Sequence, residues 1–326
     1  MAAIPYPSPF PAGLVPLPPQ PDGVPFPTAG SAGWPEGAPT GADVDRLEAE
    51  IERAFAHPNE VESPGLGQSL ALLVVQGGRI VAERYHPEVG PDTALISWSM
   101  AKSVTHTLVG LLVRDGRFEL GPVAAAHPSV VGAWVDDDRV DITAVQLLQM
   151  RSGLRWTEEY EHGAGDGTSL SEVLEMLFGR GAADMAAFAA AQPLDHRPGD
   201  HYYYSSGTSN ILSALVHSTL TTSGPFSDPS GRAGGHGVIP AGEREQAMRR
   251  FMASELFEPL GMTSADPRFD PAGTFVGSSF FHATARDFAR LGLLYLRDGV
   301  WDRRRLLPPG WVDAARTAQA VEPDSL

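Results

Sequence analysis

The chain predicts an α+β fold, and three features of the sequence carry that expectation. Two β-rich runs, Ala71-Leu72-Leu73-Val74-Val75 and Arg79-Ile80-Val81-Ala82-Glu83-Arg84-Tyr85, flank Gly77-Gly78 and read as a hairpin. Helical patterns dominate after that pair. Strands and helices do not alternate, and no segment repeats, so βαβ units and solenoids are disfavoured. With 326 residues, 42% of them hydrophobic, the chain can bury a sizeable core.

The elements follow in order. Residues 43–56 read as a helix because Leu47, Ile51 and Phe55 recur at spacing four. A Pro91-Asp92-Thr93 turn and an extended Ala94-Leu95-Ile96 run lead into a helix over 100–114, stopped by Asp115-Gly116. Thr143 is placed to cap a helix over 143–150 that ends near Gly153. Helices are expected over 209–220 and 243–257. Thr284-Ala285-Arg286-Asp287 resembles a capping box with Asp in the Glu position, opening a helix to about 297. Pro308-Pro309-Gly310-Trp311 starts a last short helix. The segment 221–242, rich in Gly, Ser and Pro, reads as a surface loop.

Residues 1–40 hold 12 of the 29 prolines. Runs such as Pro16-Leu17-Pro18-Pro19-Gln20-Pro21 favour polyproline II. They suit an arm lying over a domain surface or, alternatively, a ligand for a proline-binding module. The organisation expected is a proline-rich arm at 1–42 followed by one domain at 43–326.

Composition removes several function classes. The 40 acidic residues outnumber 24 basic ones, giving a formal net charge of −16. Such a chain lacks the basic footprint that nucleic acids or anionic lipid surfaces require. Cysteine is absent, which excludes disulfides, thiolate nucleophiles and cysteine-ligated metals. No apolar run is long enough for a membrane span, and the Met-Ala-Ala-Ile-Pro-Tyr-Pro start lacks the basic and apolar regions of a secretory signal. The cytoplasm is the expected compartment.

The 24 basic residues comprise 23 arginines and one lysine, Lys102. Arginine stays protonated in proteins, whereas burial can make lysine neutral. A lone lysine in an arginine-rich chain therefore suits proton abstraction. Ser99 lies three residues earlier, on the same helix face. The start of that helix presents unpaired N–H groups able to stabilise an oxyanion. Ser99 and Lys102 thus form a candidate nucleophile and base. A Ser near a helix start with a salt-bridged Lys is the bland alternative. Tyr204, in Tyr202-Tyr203-Tyr204-Ser205-Ser206-Gly207, sits on a turn before a helix, where a phenol could relay a proton. For Tyr202 and Tyr203 aromatic packing is preferred.

Taken together, these segments resemble the serine β-lactamase and penicillin-binding-protein superfamily. The likeness is closer to its esterase and 6-aminohexanoate-dimer hydrolase branch. Ser97-Trp98-Ser99-Met100-Ala101-Lys102-Ser103 resembles the first motif, and the stretch from Ile142 to Leu154 resembles the helix and turn that follow it. Pro198-Gly199 with Tyr204-Ser205-Ser206 resembles the second motif, and Leu260-Gly261-Met262 and Thr284 to Gly292 resemble later landmarks. The resemblance implies a β-lactamase-like architecture: an antiparallel sheet flanked by helices, plus an all-helical region. Here 43–98 and about 265–326 would be the sheet side and 99–264 the helical side. It implies Ser99 as acylated nucleophile, Lys102 as general base, Tyr204 as proton shuttle and the Ser99 N–H as one oxyanion donor. Ser206 stands where many relatives carry Asn, and its hydroxyl can still bond Lys102. The implied substrate is a small amide or ester, with no metal and no cofactor.

Trp156, Tyr160 and His162 fall in a region that borders the active site in this superfamily; they line an acyl pocket, act as a lid, or pack at a loop base. The superfamily's third motif, Lys-Thr-Gly or His-x-Gly, has no counterpart after Tyr204. The sequence resembles a C-terminally shortened member with an incomplete sheet. A shortened, non-catalytic ligand- or peptide-binding relative is therefore the alternative function. Elsewhere, His196 and His201 flank a turn without a metal-binding spacing, and Asp136-Asp137-Asp138 reads as a solvated charge run. Oligomeric state is not readable.

Overall fold

Asp43 accepts a hydrogen bond from the Arg46 N–H at 3.1 Å and so starts the first helix, α1 (Val44–Phe55). The computed structural model describes residues 17, 23–56, 68–160, 171–222 and 240–317. His162, most of the proline run at 16–21 and nearly all of the Gly-rich loop expected at 221–242 lie outside the described residues.

The hairpin expectation holds: β1 (Ala71–Gln76) pairs antiparallel with β2 (Arg79–Tyr85). Gly77 and Gly78 both have positive φ, 56° and 75°, as a two-residue hairpin turn of this hand requires. β3 (Leu95–Ile96) leads through a 3₁₀ turn, Trp98–Met100, into α2 (Ala101–Arg114). Then come α3 (Pro128–Val131), α4 (Ala144–Leu148), α5 (Glu172–Phe178), α6 (Met185–Ala190), α7 (Ser206–Thr222), α8 (Ala241–Met252) and α9 (Glu258–Leu260). β4 (Asp266–Pro267), β5 (Phe281–Ala283), α10 (Ala285–Leu296), the short pair β6 (Val300–Trp301) and β7 (Arg304–Arg305), and α11 (Trp311–Ala315) follow.

All strand pairs among the described residues are antiparallel. They form β1–β2, a three-stranded sheet in the order β3–β5–β4, and β6–β7, so the fold is α+β. No helix among the described residues is long and apolar enough to cross a membrane.

The helix at 143–150 is shorter than expected, but its cap is as read. Thr143 and Gln146 form a reciprocal capping box. At α10 the expected box is only half present. Thr284 accepts from the Asp287 N–H, but the Asp287 carboxylate turns away to Ser264, whose hydroxyl donates to it at 2.6 Å. Aspartate is one methylene shorter than glutamate, and a nearer donor claims it. Asp287 also pairs at 3.2 Å with Arg290, both residues being fully buried.

Arg290 donates to the carbonyls of Leu260 (3.0 Å) and Gly30 (2.7 Å), and to that of Thr28. That clamp pins residues 27–30 of the proline-rich stretch against the domain, and Trp34 is buried there with its indole N–H on the Arg286 carbonyl.

At the centre lies α7. Residues 205–220 are buried without interruption, although nine of them carry Ser, Thr, Asn or His side chains. The helix packs against α2, α4, α6 and α8 and so has no solvent face to show in its sequence pattern. That is why its start, three residues before the expected one, was not legible.

Candidate active site

Two anchors aim Ser99. Ser97 extends the β3–β5 pairing: its N–H donates to the Phe281 carbonyl at 2.8 Å, and its hydroxyl lies 3.2 Å from both the Ser279 carbonyl and the Phe281 N–H. Trp98 then takes φ 43°, a left-handed conformation that costs a non-glycine residue about 1–2 kcal/mol. The chain reverses sharply there and enters the 3₁₀ turn that holds Ser99. The nucleophile candidate therefore sits in a tight turn before the α-helix, where the first turn of the α-helix itself was expected. The Trp98 ring is half exposed and lies 5.9 Å from that of Phe280.

One helical turn further on, Lys102 Nζ lies 3.3 Å from Ser99 Oγ, 3.1 Å from Ser206 Oγ and 3.0 Å from the Ser278 carbonyl oxygen. The Ser278 segment is held from both sides. The Thr105 hydroxyl donates to the Gly277 carbonyl at 2.9 Å, and Asn210 of α7 donates to Ser278 Oγ at 3.2 Å. Gly277 has to be glycine: a Cβ there would lie 2.2 Å from both Thr105 Oγ1 and Ser213 Oγ. Ser278 carries no sequence motif and was not anticipated.

Tyr204 reaches the same place along another path. The Tyr203 N–H donates to the Met150 carbonyl and the Gly199 N–H to the Arg151 carbonyl, at 2.9 and 2.8 Å. The turn after α4 thus carries the Tyr-bearing loop to the start of α7. Tyr204 sits beside Ser99, close enough for their hydroxyls to interact, and Lys102 Nζ lies 4.8 Å from the centre of its ring. Burial, augmented by the nearby Glu158 charge, raises the Tyr204 phenol above its usual value, so at neutral pH it is a donor.

The central unanticipated residue is Glu158. It receives hydrogen bonds from the Ser206 hydroxyl (2.5 Å), the Ser206 N–H (2.9 Å), the Trp156 indole (2.6 Å) and the Tyr160 hydroxyl (3.0 Å). Trp156 is buried, with its ring against Gly207, where a Cβ would meet it at 2.5 Å. Tyr160 is half exposed. Trp156, Ser206 and Tyr160 therefore converge on one carboxylate. The available signal was the Trp156-x-Glu158-x-Tyr160 spacing: period two puts three side chains on one side of an extended segment. The aromatic pair drew attention and the acid between them did not.

Burial pulls the Lys102 ammonium down from 10.5 to about 8, against the opposing pull of the Glu158 charge. Among the described residues no carboxylate comes within ion-pairing distance of Lys102; Glu158 stands behind Ser206. Asp137 pairs with Arg139 at 2.6 Å, and His196 and His201 stack on each other at 3.8 Å, away from this cluster's bonds.

Comparison with known proteins places the chain. The beta-lactamase family profile matches residues 58–325. The chain belongs to the beta-lactamase family. It is 25% identical over 247 residues to 6-aminohexanoate-dimer hydrolase of Paenarthrobacter ureafaciens, covering 75% of this chain and 56% of that relative. Among solved structures, it resembles a Bacillus anthracis protein assigned as a 6-aminohexanoate-dimer hydrolase (TM-score 0.60, 18% identity, 86% of this chain and 66% of that one). It also resembles the octameric penicillin-binding protein homologue of Pyrococcus abyssi (TM-score 0.53, 17% identity, 83% and 59%). The chain thus spans just over half the length of the curated relative. As a beta-lactamase-family chain related to a hydrolase, it carries the expected fold.

Proposed function

We propose that this chain is a serine hydrolase that cleaves small amides or esters through an acyl-enzyme on Ser99. Lys102, neutral, takes the Ser99 proton as Ser99 Oγ attacks the carbonyl carbon. The carbonyl π electrons move to oxygen, where the Ser99 backbone N–H would meet the developing charge. Tyr204 passes a proton to the departing amine or alcohol, and water releases the acyl group. The likeness to 6-aminohexanoate-dimer hydrolase favours amide or ester substrates of small size.

The supporting observation is the Lys102 environment. Its nitrogen touches the Ser99 hydroxyl, lacks a direct carboxylate partner among the described residues, and loses its proton near pH 8. Holding that amine neutral two and a half pH units below its ordinary value costs about 3 kcal/mol. A fold spends stability in that way where a reactive base is needed.

A non-catalytic, ligand- or peptide-binding role is the rival. Incubation with a fluorophosphonate, followed by intact mass and peptide mapping, separates the two. A one-to-one adduct on Ser99, absent in Ser99→Ala, is expected. No adduct, or one on another serine, contradicts the hydrolase reading.

A further inference from the structure

The hydrogens around Lys102 can be counted. A neutral amine has two N–H bonds and one lone pair, and Nζ has three oxygen neighbours: Ser99 Oγ, Ser206 Oγ and the Ser278 carbonyl. A carbonyl can only accept, so one N–H belongs to Ser278. Ser206 is ambiguous by itself, because a hydroxyl both donates and accepts. If it pointed its proton at Nζ, it would occupy the lone pair and leave Lys102 unable to take the Ser99 proton.

Glu158 removes the ambiguity. Its Oε1 lies 2.5 Å from Ser206 Oγ, while Oε2 holds the Ser206 backbone N–H at 2.9 Å. The carboxylate cannot donate, so the single Ser206 proton goes to it. Trp156 and Tyr160, both donors, fix that carboxylate in place. Ser206 then faces Lys102 with a lone pair only, and takes the second N–H. The Lys102 lone pair is left with one direction, towards Ser99.

We propose that Glu158 is a positioning residue that, through the Ser206 hydroxyl, orients the lone pair of Lys102 onto Ser99. This rests on the reading of Ser99 and Lys102 as nucleophile and base. The proton moves from Ser99 Oγ to Nζ as the Oγ–carbon bond forms, and Glu158 itself neither gains nor loses one. Glu158 also opposes the loss of charge on Lys102. Its removal is therefore expected to have two opposite signatures, which a general loosening of the site would not produce together.

The test compares Glu158→Gln, Ser206→Ala and the double variant. The readout is the second-order rate of fluorophosphonate labelling of Ser99 from pH 6 to 10. Glu158→Gln should lower the high-pH plateau at least about tenfold, because an amide lets the Ser206 hydroxyl turn to Nζ. It should also move the midpoint to lower pH, because the negative charge is gone. In the double variant, where no hydroxyl is left to turn, the plateau should equal that of Ser206→Ala alone. An unchanged plateau in Glu158→Gln, or losses that multiply in the double variant, would overturn the proposal. Should Glu158→Gln not fold, Glu158→Asp serves: its carboxylate is drawn back from Ser206 while its charge stays, so the plateau falls and the midpoint holds. A wild-type plateau in Glu158→Asp overturns the proposal equally. If the native chain itself is not labelled on Ser99, the hydrolase reading fails first and takes this inference with it. If the native chain is labelled but the variants behave like it, only the inference is lost.

Discussion

Helix α2 carries two partly buried nitrogen bases four residues apart, and their fates differ. Burial pulls both down: Lys102 to about 8 and His106 to about 4. Around Lys102 the partners are acceptors or groups with a movable proton. Around His106 they are donors. The Trp311 indole N–H lies 3.1 Å from Nδ1, and the Tyr295 hydroxyl lies 2.6 Å from the same atom. An indole N–H can only donate, so Nδ1 accepts and the ring proton sits on Nε2. His106 is a neutral acceptor that ties α10 and α11 to α2, with its basic lone pair already used. Desolvation alone thus does not make a catalytic base. The direction of the surrounding hydrogen bonds decides whether the lone pair is free to react.

The largest effect that could break this contrast is on turnover. Lys102→Arg keeps charge and reach but cannot give up its proton, and should cost roughly 1000-fold in ester or amide hydrolysis, the usual scale for a general base. His106→Gln, measured beside it, should lower the melting temperature while leaving hydrolysis per folded molecule nearly intact. Retained turnover in Lys102→Arg, or a collapse in folded His106→Gln, would erase the distinction.

A smaller effect is on stability against pH. The folded pKa of His106, about 4, lies below its ordinary value of 6.5, so the unfolded chain takes up the proton first. The stability present above pH 6.5 is then lost as pH falls towards 4, by up to about 3 kcal/mol. Lys102 has the same sign in another window: stability rises as pH climbs from 8 to 10.5. Urea titrations across both ranges should show both slopes; His106→Gln should reduce the acidic one, to which His217, also pulled down to about 4 by burial, contributes as well, and leave the alkaline one unchanged. An acidic slope unchanged in that variant would show that His106 stays charged or exposed.

The sequence made much of this site readable because chemistry and spacing coincide there. A lone lysine among arginines, a serine one turn earlier and a tyrosine before a helix are local signals, and the structure brings the three together. The hairpin was legible for the same reason, since Gly77-Gly78 states its turn in two residues. What escaped is set by long-range packing. Glu158 and Ser206 are 48 residues apart and Lys102 and Ser278 are 176 apart, so nothing local marks either contact. The α7 start was obscured because a helix buried on every side shows no amphipathic stripe. The half-formed capping box at Thr284 failed because Ser264, 20 residues upstream, competes for the Asp287 carboxylate.

A chain with one lysine offers a direct test of the account's foundation. Labelling with ¹³C at the lysine ε-carbon produces a single side-chain resonance, and its titration reads Lys102 without assignment. A midpoint near 8 in the folded protein, returning to the ordinary lysine value in urea, is the predicted result. A folded-state midpoint at 10.5 or above would mean that the amine keeps its charge at neutral pH, and would contradict its role as the base for Ser99.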